Sequence, residues 1–151
     1  MDTFLNLLII LYADDTVLFA SSKENLQKCL DGLKLYCDKW KLEVNASKTK
    51  IVIFTQGRPL TENFNFKIGD SAIEVVKQFK YLGVTFTFNG FFKNNIDDVI
   101  ERGNRAIFGL IKKARKGNLP IDIQLDLFDK TIIPVLLHGC EVWGYDNLKD
   151  L

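Results

Sequence analysis

Two adjacent carboxylates, Asp14 and Asp15, interrupt an apolar stretch that runs from residue 10 to residue 20. The neighbouring Val, Ile, Phe and Tyr residues are typical of β-strands, and folding around unneutralised acids among them is costly. Successive side chains of a straight strand point to opposite faces, so the two carboxylates can converge only where the chain reverses. Their position predicts a hairpin tip that binds a divalent cation. A solvated turn is the alternative, because Asp is a favoured turn residue.

The two strands predicted on either side of the acids help to decide between a metal-binding tip and a solvated turn. Residues 4–13 are apolar except for Asn6, and residues 17–20 are wholly apolar. A strand with one wet face would alternate apolar and polar residues, so this pattern predicts arms that are buried on both sides. Carboxylates at the tip of a buried hairpin favour a functional site over a plain turn.

The segment Tyr12-Ala13-Asp14-Asp15 resembles the catalytic hairpin of reverse transcriptases, in the form typical of non-LTR retrotransposons. The resemblance implies that Asp14 and Asp15 help to bind two Mg²⁺ (or Mn²⁺) ions once the complete active site is assembled. Magnesium prefers oxygen ligands, and ions about 3.5–4 Å apart can stabilise the attacking and leaving oxygens of a phosphoryl displacement. Tyr12 and the small Ala13 would then lie beside the end of the primer.

A second segment, Asn45-Ala46-Ser47-Lys48-Thr49, resembles the loop that follows the catalytic hairpin in the same family. There a lysine reaches the incoming triphosphate and acts as a general acid on pyrophosphate. The resemblance implies this role for Lys48 and not for Lys50, since a positioned ammonium can supply both charge and proton. By itself the segment is also consistent with ordinary turn chemistry.

A third segment, residues 79–84, resembles the primer grip of non-LTR reverse transcriptases. The resemblance implies primer contacts at Tyr81, Leu82 and Gly83. Gly83 would allow close approach of the backbone to a ligand, and Tyr81 offers a flat amphipathic surface. Taken alone, Gly83 is more typical of a bulge or an edge bend.

Composition limits the ways in which this chain can bind nucleic acid. Its 151 residues are 47% hydrophobic, enough to bury the core of one domain or two small subdomains. The net charge of +1 argues against binding of nucleic acid through overall charge, so any such binding must come from local patches. Residues 102–117 hold six basic residues and no acid, and we predict nucleic-acid contacts at Arg105, Lys112 and Lys113. Cations near a helix C-terminus also have a structural explanation.

The three cysteines show no metal-ligand spacing, and their odd number predicts a reducing, intracellular setting. His138 and Cys140 are predicted to be packed rather than metal-binding. Residues 4–13 lack a basic leading segment and end before Asp-Asp, so we expect neither a signal peptide nor a membrane anchor.

Periodicity supplies the elements that must position these residues. Ser21 and Glu24 form a capping-box pattern that predicts a helix over 22–40, with an apolar stripe ending at Trp40. Strands are predicted at 51–54, 64–68, 72–76 and 79–88, with a turn at 69–71. Helices are predicted at 94–117 and 121–137, the second kinked or ended early by Pro134.

The predicted fold class is α+β, with an antiparallel palm-like sheet that carries the catalytic hairpin and a packed helix. A mostly helical, thumb-like lobe follows. We place the boundary near residues 89–90, giving a C-terminal part of a palm with its primer grip (1–89) and a partial thumb (90–151). Unpaired apolar edges predict self-association.

The family resemblances cover residues 4–88 and imply a fragment of an RNA-directed DNA polymerase. In the family, another metal-binding Asp and the fingers region precede this hairpin, so we expect the fragment to be inactive alone. The implied partners are an RNA template with a DNA primer and, in the complete enzyme, a deoxynucleotide; no membrane partner is expected. The alternative is a non-catalytic nucleic-acid-binding module derived from a retrotransposon.

Overall fold

The computed structural model describes residues 8–55 and 64–144. The chain forms two compact units, one of residues 1–51 and 61–76 and the other of residues 52–60 and 77–151. Helices and small antiparallel sheets occur together, which confirms the α+β class. The predicted single sheet is wrong, because the strands of the described residues form three separate small sheets.

The first sheet is the predicted hairpin. Strand β1 (Leu8–Tyr12) pairs antiparallel with β2 (Asp15–Phe19), and Tyr12 lies opposite Asp15. The prediction of buried arms is wrong, since Leu11 is 69% and Tyr12 62% exposed. Within the described part of the chain this sheet has two strands, so no neighbouring strand covers either edge.

Helix α1 (Lys23–Trp40) follows the hairpin and packs against the first unit's strands. Its N-cap is Ser22, whose hydroxyl accepts from the Asn25 N–H at 3.2 Å; the predicted cap at Ser21 is wrong by one residue. The stripe predicted on this helix buries Cys29, Leu30 and Cys37, whereas Trp40 is exposed. All three cysteines of the chain are free.

A second sheet lies against α1. Its strands are β3 (Lys50–Val52), β4 (Phe66–Ile68) and β5 (Ser71–Val76), in the order β3-β5-β4. Strands β4 and β5 form a hairpin around Gly69-Asp70, as the turn prediction required. The side-chain amide of Gln27 on α1 bonds to both the N–H and the carbonyl of Lys67, at 3.1 and 2.8 Å, along the outer edge of β4.

The second unit begins with a hairpin of β6 (Gln78–Tyr81) and β7 (Val84–Thr87). A continuous strand over 79–88 is therefore wrong, because the chain reverses at Leu82-Gly83 with φ of 47° and 85°. Positive φ at both central residues is typical of a type I′ turn. This hairpin belongs to the second unit, whereas β1 and β2 belong to the first.

Helices complete the second unit. Helix α2 (Lys93–Gly117) ends where predicted, although Asn118 rather than Gly117 takes the left-handed cap conformation. Helix α3 (Ile121–Leu127), a π-helical segment (Phe128–Ile132) and α4 (Ile133–Leu136) follow, and α5 (Cys140–Trp143) comes last. Pro134 lies in the first turn of α4, directly after the π-helical segment, and the helical run continues through it to Leu136.

The core of the second unit lies where α2 meets β7, the π-helical segment and α4. Val84, Val99, Ala114 and Ile132 are buried there. Asn95 is 0% exposed, and its Oδ1 accepts from the Thr85 N–H at 2.9 Å, which ties α2 to β7. Within residues 8–55 and 64–144, every helix is too short or too polar to span a bilayer.

Candidate functional site

The tip of the β1–β2 hairpin presents the paired carboxylates to solvent. Ala13 and Asp14 form the turn, and Asp15 is the first residue of β2. Ala13 has a φ of 52° while Asp14 stays outside the positive-φ region, which is the pattern of a type II′ turn. Both Asp side chains are exposed, and within the described residues neither has a hydrogen-bond or ion-pair partner. Their oxygens are therefore open to a ligand.

These carboxylates match a hard divalent cation in donor type but not in number. Mg²⁺ favours six oxygen ligands in near-octahedral geometry, with carboxylates supplying some of them. In the described part of the chain, no group of three or more His, Cys, Asp and Glu side chains could hold a metal ion. Asp14 and Asp15 can therefore form one part of a metal site, with the remaining ligands supplied from elsewhere.

The loop before β3 is organised by Asn45. The Asn45 carbonyl accepts from the N–H groups of Lys48 and Thr49 at 3.1 and 3.0 Å, and its Oδ1 accepts from Ser47 Oγ at 2.7 Å. Lys48 is exposed, and its ammonium has no acceptor among the described residues. The Lys50 ammonium instead bonds to Glu74 Oε2 at 2.7 Å. The structure thus leaves the Lys48 ammonium without an acceptor in the described chain and pairs that of Lys50 with Glu74.

The tip of the β6–β7 hairpin is held through its backbone. His138 Nε2 lies 2.9 Å from the Leu82 carbonyl oxygen, and an Arg102 guanidinium nitrogen donates to the Gly83 carbonyl at 3.5 Å. A Cβ on Gly83 would lie 2.4 Å from His138 Nε2. The missing side chain of Gly83 therefore makes room for His138. Neither of the two explanations offered from the sequence, a bulge or a primer contact, foresaw this packing.

The neighbouring Tyr81 is half-buried. Its Oη is buried and has no hydrogen-bond partner among the described residues. Leu82 is 41% exposed, so its side chain is the part of the tip that faces solvent. Of the predicted grip residues, Leu82 is the one best placed to contact a ligand.

The acidic residues of α2 all lie in its first half, whereas its second half carries only basic charges. Asp98 bonds to the Lys80 ammonium at 2.7 Å and lies 3.3 Å from an Arg102 nitrogen. The hydrogen bond from Lys80 holds the pKa of the Asp98 carboxyl below its usual value; burial opposes this shift, and the charge of Arg102 adds to it. Arg105 pairs with Glu101, so its charge is partly neutralised.

Lys112 and Lys113 differ from Arg105 in this respect. Both are exposed in the second half of α2, and neither has an acidic partner within the described residues. They are free to contact phosphates, whereas Arg105 would first have to leave Glu101. The structure thus separates the three predicted basic contacts into one engaged and two available side chains.

Sequence reasoning missed three residues that shape the second hairpin: Asn95, Arg102 as a backbone donor, and His138 as a contact of the tip. Each acts on a residue far away in sequence, so no local pattern marks it. The sequence feature that could have drawn attention to this contact was the presence of glycine at positions 83 and 139, because each glycine leaves space for a packed neighbour.

Comparison with known proteins gives the chain a family. The profile of the family described as reverse transcriptase (RNA-dependent DNA polymerase) matches residues 1–86, which include Asp14, Asp15, Lys48 and the tip of the β6–β7 hairpin. The chain belongs to the reverse transcriptase family. Its curated relatives support the non-LTR retrotransposon branch of that family.

Three curated relatives resemble this reverse transcriptase chain along most of its length. A transposon-derived protein of Caenorhabditis elegans is 28% identical over 145 residues, covering 94% of this chain and 50% of the relative. The RNA-directed DNA polymerase from the mobile element jockey of Drosophila melanogaster is 23% identical over 146 residues, covering 92% and 16%. A retrovirus-related Pol polyprotein from a type-2 retrotransposable element of the same fly is 34% identical over 136 residues, covering 84% and 12%.

The chain thus spans half or less of the length of these relatives. No solved structure matches this reverse transcriptase chain with significance. Similarity to the relatives is not confined to the hairpins, since each alignment covers more of the chain than the family profile does.

Proposed function

We propose that this chain supplies part of the polymerase centre of an RNA-directed DNA polymerase that extends a DNA primer on an RNA template. The observation that carries the proposal is the pair of exposed carboxylates, Asp14 and Asp15, at the tip of a tight hairpin within the residues that match the family. In this role both side chains are ligands of Mg²⁺ or Mn²⁺. Bound divalent ions would supply the charge that stabilises the attacking and leaving oxygens during nucleotidyl transfer.

Other residues divide the work of holding the substrates. Tyr12 and Ala13 lie at the same tip and would contact the primer end, where the small side chain of Ala13 leaves space. Lys48, exposed and without an acceptor in the described chain, would bind the triphosphate of the incoming deoxynucleotide and donate a proton to the leaving pyrophosphate. Tyr81, Leu82 and Gly83 would hold the primer, with Arg105, Lys112 and Lys113 on the phosphates of the duplex.

The metal site can be tested with Mn²⁺, whose unpaired electrons broaden the NMR signals of nearby nuclei. Addition of Mn²⁺ to the chain should broaden the amide signals around Asp14 and Asp15, and Asp14→Asn with Asp15→Asn should remove the effect. Asp70 provides a matched control, because it also lies at the tip of an exposed two-residue hairpin turn. Equal broadening at Asp70, or none at the β1–β2 tip, would contradict the proposal.

We also propose that these 151 residues do not polymerise without further ligands. Two carboxylates leave most of an octahedral coordination sphere unfilled, and the described residues hold no larger cluster of metal-binding side chains. Primer extension on an RNA template, with Mg²⁺ and all four deoxynucleotides, should therefore give no product. Incorporation by the purified chain that disappears in Asp14→Asn would show the opposite.

Lys48 has its own matched control in Lys50. Lys48→Ala should change the free energy of unfolding by less than about 0.5 kcal/mol, because the side chain is exposed and unpaired. Lys50→Ala removes a partly exposed ion pair and should cost up to about 1 kcal/mol. In an NMR titration with inorganic triphosphate, the loss of binding should follow Lys48 and not Lys50. The reverse pattern would exclude Lys48 from the phosphate site.

A second candidate function is a non-catalytic nucleic-acid-binding module, favoured by the exposed, unpaired Lys112 and Lys113 on α2. Such a module would bind an RNA–DNA duplex in a salt-dependent way and would be indifferent to Asp14→Asn or Asp15→Asn. A polymerase centre would instead bind the primer end more tightly when Mn²⁺ is present. Comparing duplex affinity with and without Mn²⁺ separates the two functions.

The apolar surface of the β1–β2 hairpin supports one further proposal, self-association. Leu11 and Tyr12 are more than half exposed on a two-stranded sheet whose edges are unpaired within the described residues. Exposed, unpaired apolar strands are a common route to association between copies. Sedimentation should show oligomers that Leu11→Lys shifts toward the monomer; a monodisperse monomer at high concentration would exclude this.

A further inference from the structure

We propose that His138 is a positioning residue that holds the tip of the β6–β7 hairpin in the conformation that contacts a primer–template duplex. The proposal rests on the proposed function, in which this hairpin is the primer grip. It concerns a group of four residues of the second unit, Gly83, His138, Gly139 and Trp143, which we name the tip clasp.

The central contact of the tip clasp is polar. His138 Nε2 lies 2.9 Å from the Leu82 carbonyl oxygen, which can only accept a hydrogen bond, so Nε2 must carry the hydrogen. The segment that carries His138 is itself tied down, because Trp143 Nε1 donates to the His138 carbonyl at 2.9 Å. His138 is the single histidine of the chain, so its tautomer can be observed without overlap.

Close packing on both sides accompanies this hydrogen bond. A Cβ on Gly83 would lie 2.4 Å from His138 Nε2, and a Cβ on Gly139 would lie 2.5 Å from Val84 Cγ2. Real Cβ atoms do not approach other atoms this closely, so both positions need glycine for the two segments to meet. Segments that are far apart in the sequence thus interlock at the hairpin tip.

The conformation of Leu82 explains why the tip needs support. Leu82 has a φ of 47°, a region that non-glycine residues seldom occupy and that Asn or Asp would tolerate better. Type I′ hairpin turns favour Asn-Gly for this reason, and the chain has Leu-Gly instead. Uncommon backbone conformations persist where surrounding contacts impose them, and they concentrate at functional sites. The tip clasp supplies such a contact at the carbonyl of the strained residue.

The contacts of the tip carbonyls limit which groups of the hairpin tip can bind a ligand. His138 engages the Leu82 carbonyl and Arg102 the Gly83 carbonyl, so both carbonyl oxygens of the tip already accept a hydrogen bond within the chain. The Leu82 side chain, 41% exposed, is what the tip presents. We infer that the tip contacts the apolar face of a sugar or base, and that His138 fixes the direction of this side chain before binding.

The test uses the full chain and a labelled hybrid of an RNA template with a DNA primer, at low salt. His138→Leu should weaken hybrid binding roughly threefold to tenfold, the range expected when one hydrogen bond is removed. His138→Gln keeps an N–H donor and should restore most of the affinity. Long-range ¹H–¹⁵N spectra of the wild-type imidazole should show hydrogen on Nε2.

A second sequence background, Leu82→Asn, separates the positioning role of His138 from a general contribution to stability. Asn tolerates positive φ, so Leu82→Asn should hold the turn without the clasp, although it also loses the apolar contact of Leu82 and therefore binds more weakly. Adding His138→Leu to this variant should cause a much smaller further change in affinity than in the wild type. If His138→Leu lowers the melting temperature strongly, Trp143→Phe provides a milder test, because it removes only the hydrogen bond to the His138 carbonyl and leaves the imidazole in place. It should also weaken hybrid binding, and unchanged binding would count against the positioning role.

The outcomes distinguish the positioning role from the proposed function. Wild-type chain that does not bind the hybrid at all would overturn the proposed function and, with it, this role. Hybrid binding that His138→Leu leaves unchanged, or that His138→Gln fails to restore, would overturn the positioning role alone. Hydrogen found only on Nδ1 would also overturn it.

Discussion

Substitution of Gly83 by alanine tests the packing of the hairpin tip directly. Two separate costs are expected. Alanine at a φ of 85° has a left-handed backbone, which costs about 1–2 kcal/mol for a residue with a Cβ. Its Cβ would also lie 2.4 Å from His138 Nε2, and relieving such an overlap typically costs about 1–3 kcal/mol. Gly83→Ala should therefore lower the free energy of unfolding by about 2–5 kcal/mol.

Gly90 is the matched control for the backbone cost. It has a similar φ of 78°, but an added Cβ would meet nothing within 4 Å. Gly90→Ala should therefore lose only the backbone part, about 1–2 kcal/mol. The difference between the two variants isolates the contact with His138.

The assay is urea unfolding followed by circular dichroism, with both variants and the wild type at one protein concentration. Adding His138→Ala to Gly83→Ala should recover the stability lost to overlap but not the part lost to the backbone. Equal losses for Gly83→Ala and Gly90→Ala would refute the close packing of His138 on the tip. A double variant less stable than Gly83→Ala would refute it too.

Two further predictions concern charge. Lys112→Gln with Lys113→Gln should reduce the slope of log affinity for duplex against log salt by about 0.9 for each phosphate that the two ammonium groups neutralise. Lys130→Gln, which removes a lysine paired with Asp126 at 2.7 Å, should leave the slope unchanged, and an equal effect at Lys130 would contradict a specific basic surface. The lowered pKa of Asp98 implies stability that is present above its ordinary value of 3.8 and is lost as pH falls through the folded-state pKa. Acid titration of unfolding should therefore show a smaller loss in Asp98→Asn than in the wild type, and identical curves would contradict the pairing.

Local patterns predicted the elements well where one residue type forces the outcome. The acids of Asp14 and Asp15 marked the reversal between β1 and β2, and the Gly69-Asp70 turn marked the next hairpin. Helix ends were predicted to within a residue or two, because caps and glycines act on their own neighbourhood. The exposed arms of the first hairpin were not predictable, since an apolar strand has the same sequence whether or not another strand covers it.

In the candidate site, too, local patterns marked some residues, whereas contacts between distant residues were not predictable. The sequence marked Lys48 through its Asn45 loop, and the structure adds that Lys50 is engaged by Glu74. The reversal at Leu82-Gly83 was missed by periodicity because Leu seldom takes positive φ. The support of that tip by His138 depends on a contact between residues 56 positions apart, which no single-sequence pattern encodes.

The amide of Gln27 has a consequence for how this fold can grow. The Gln27 amide bonds to the Lys67 N–H and carbonyl on the outer side of β4. These are the groups with which an incoming strand would have to pair. Among the described strands, the edge of the β3-β5-β4 sheet that remains open to a further strand is therefore that of β3. Replacing Gln27 with alanine would free the two Lys67 backbone groups, so that a further strand could also pair with β4.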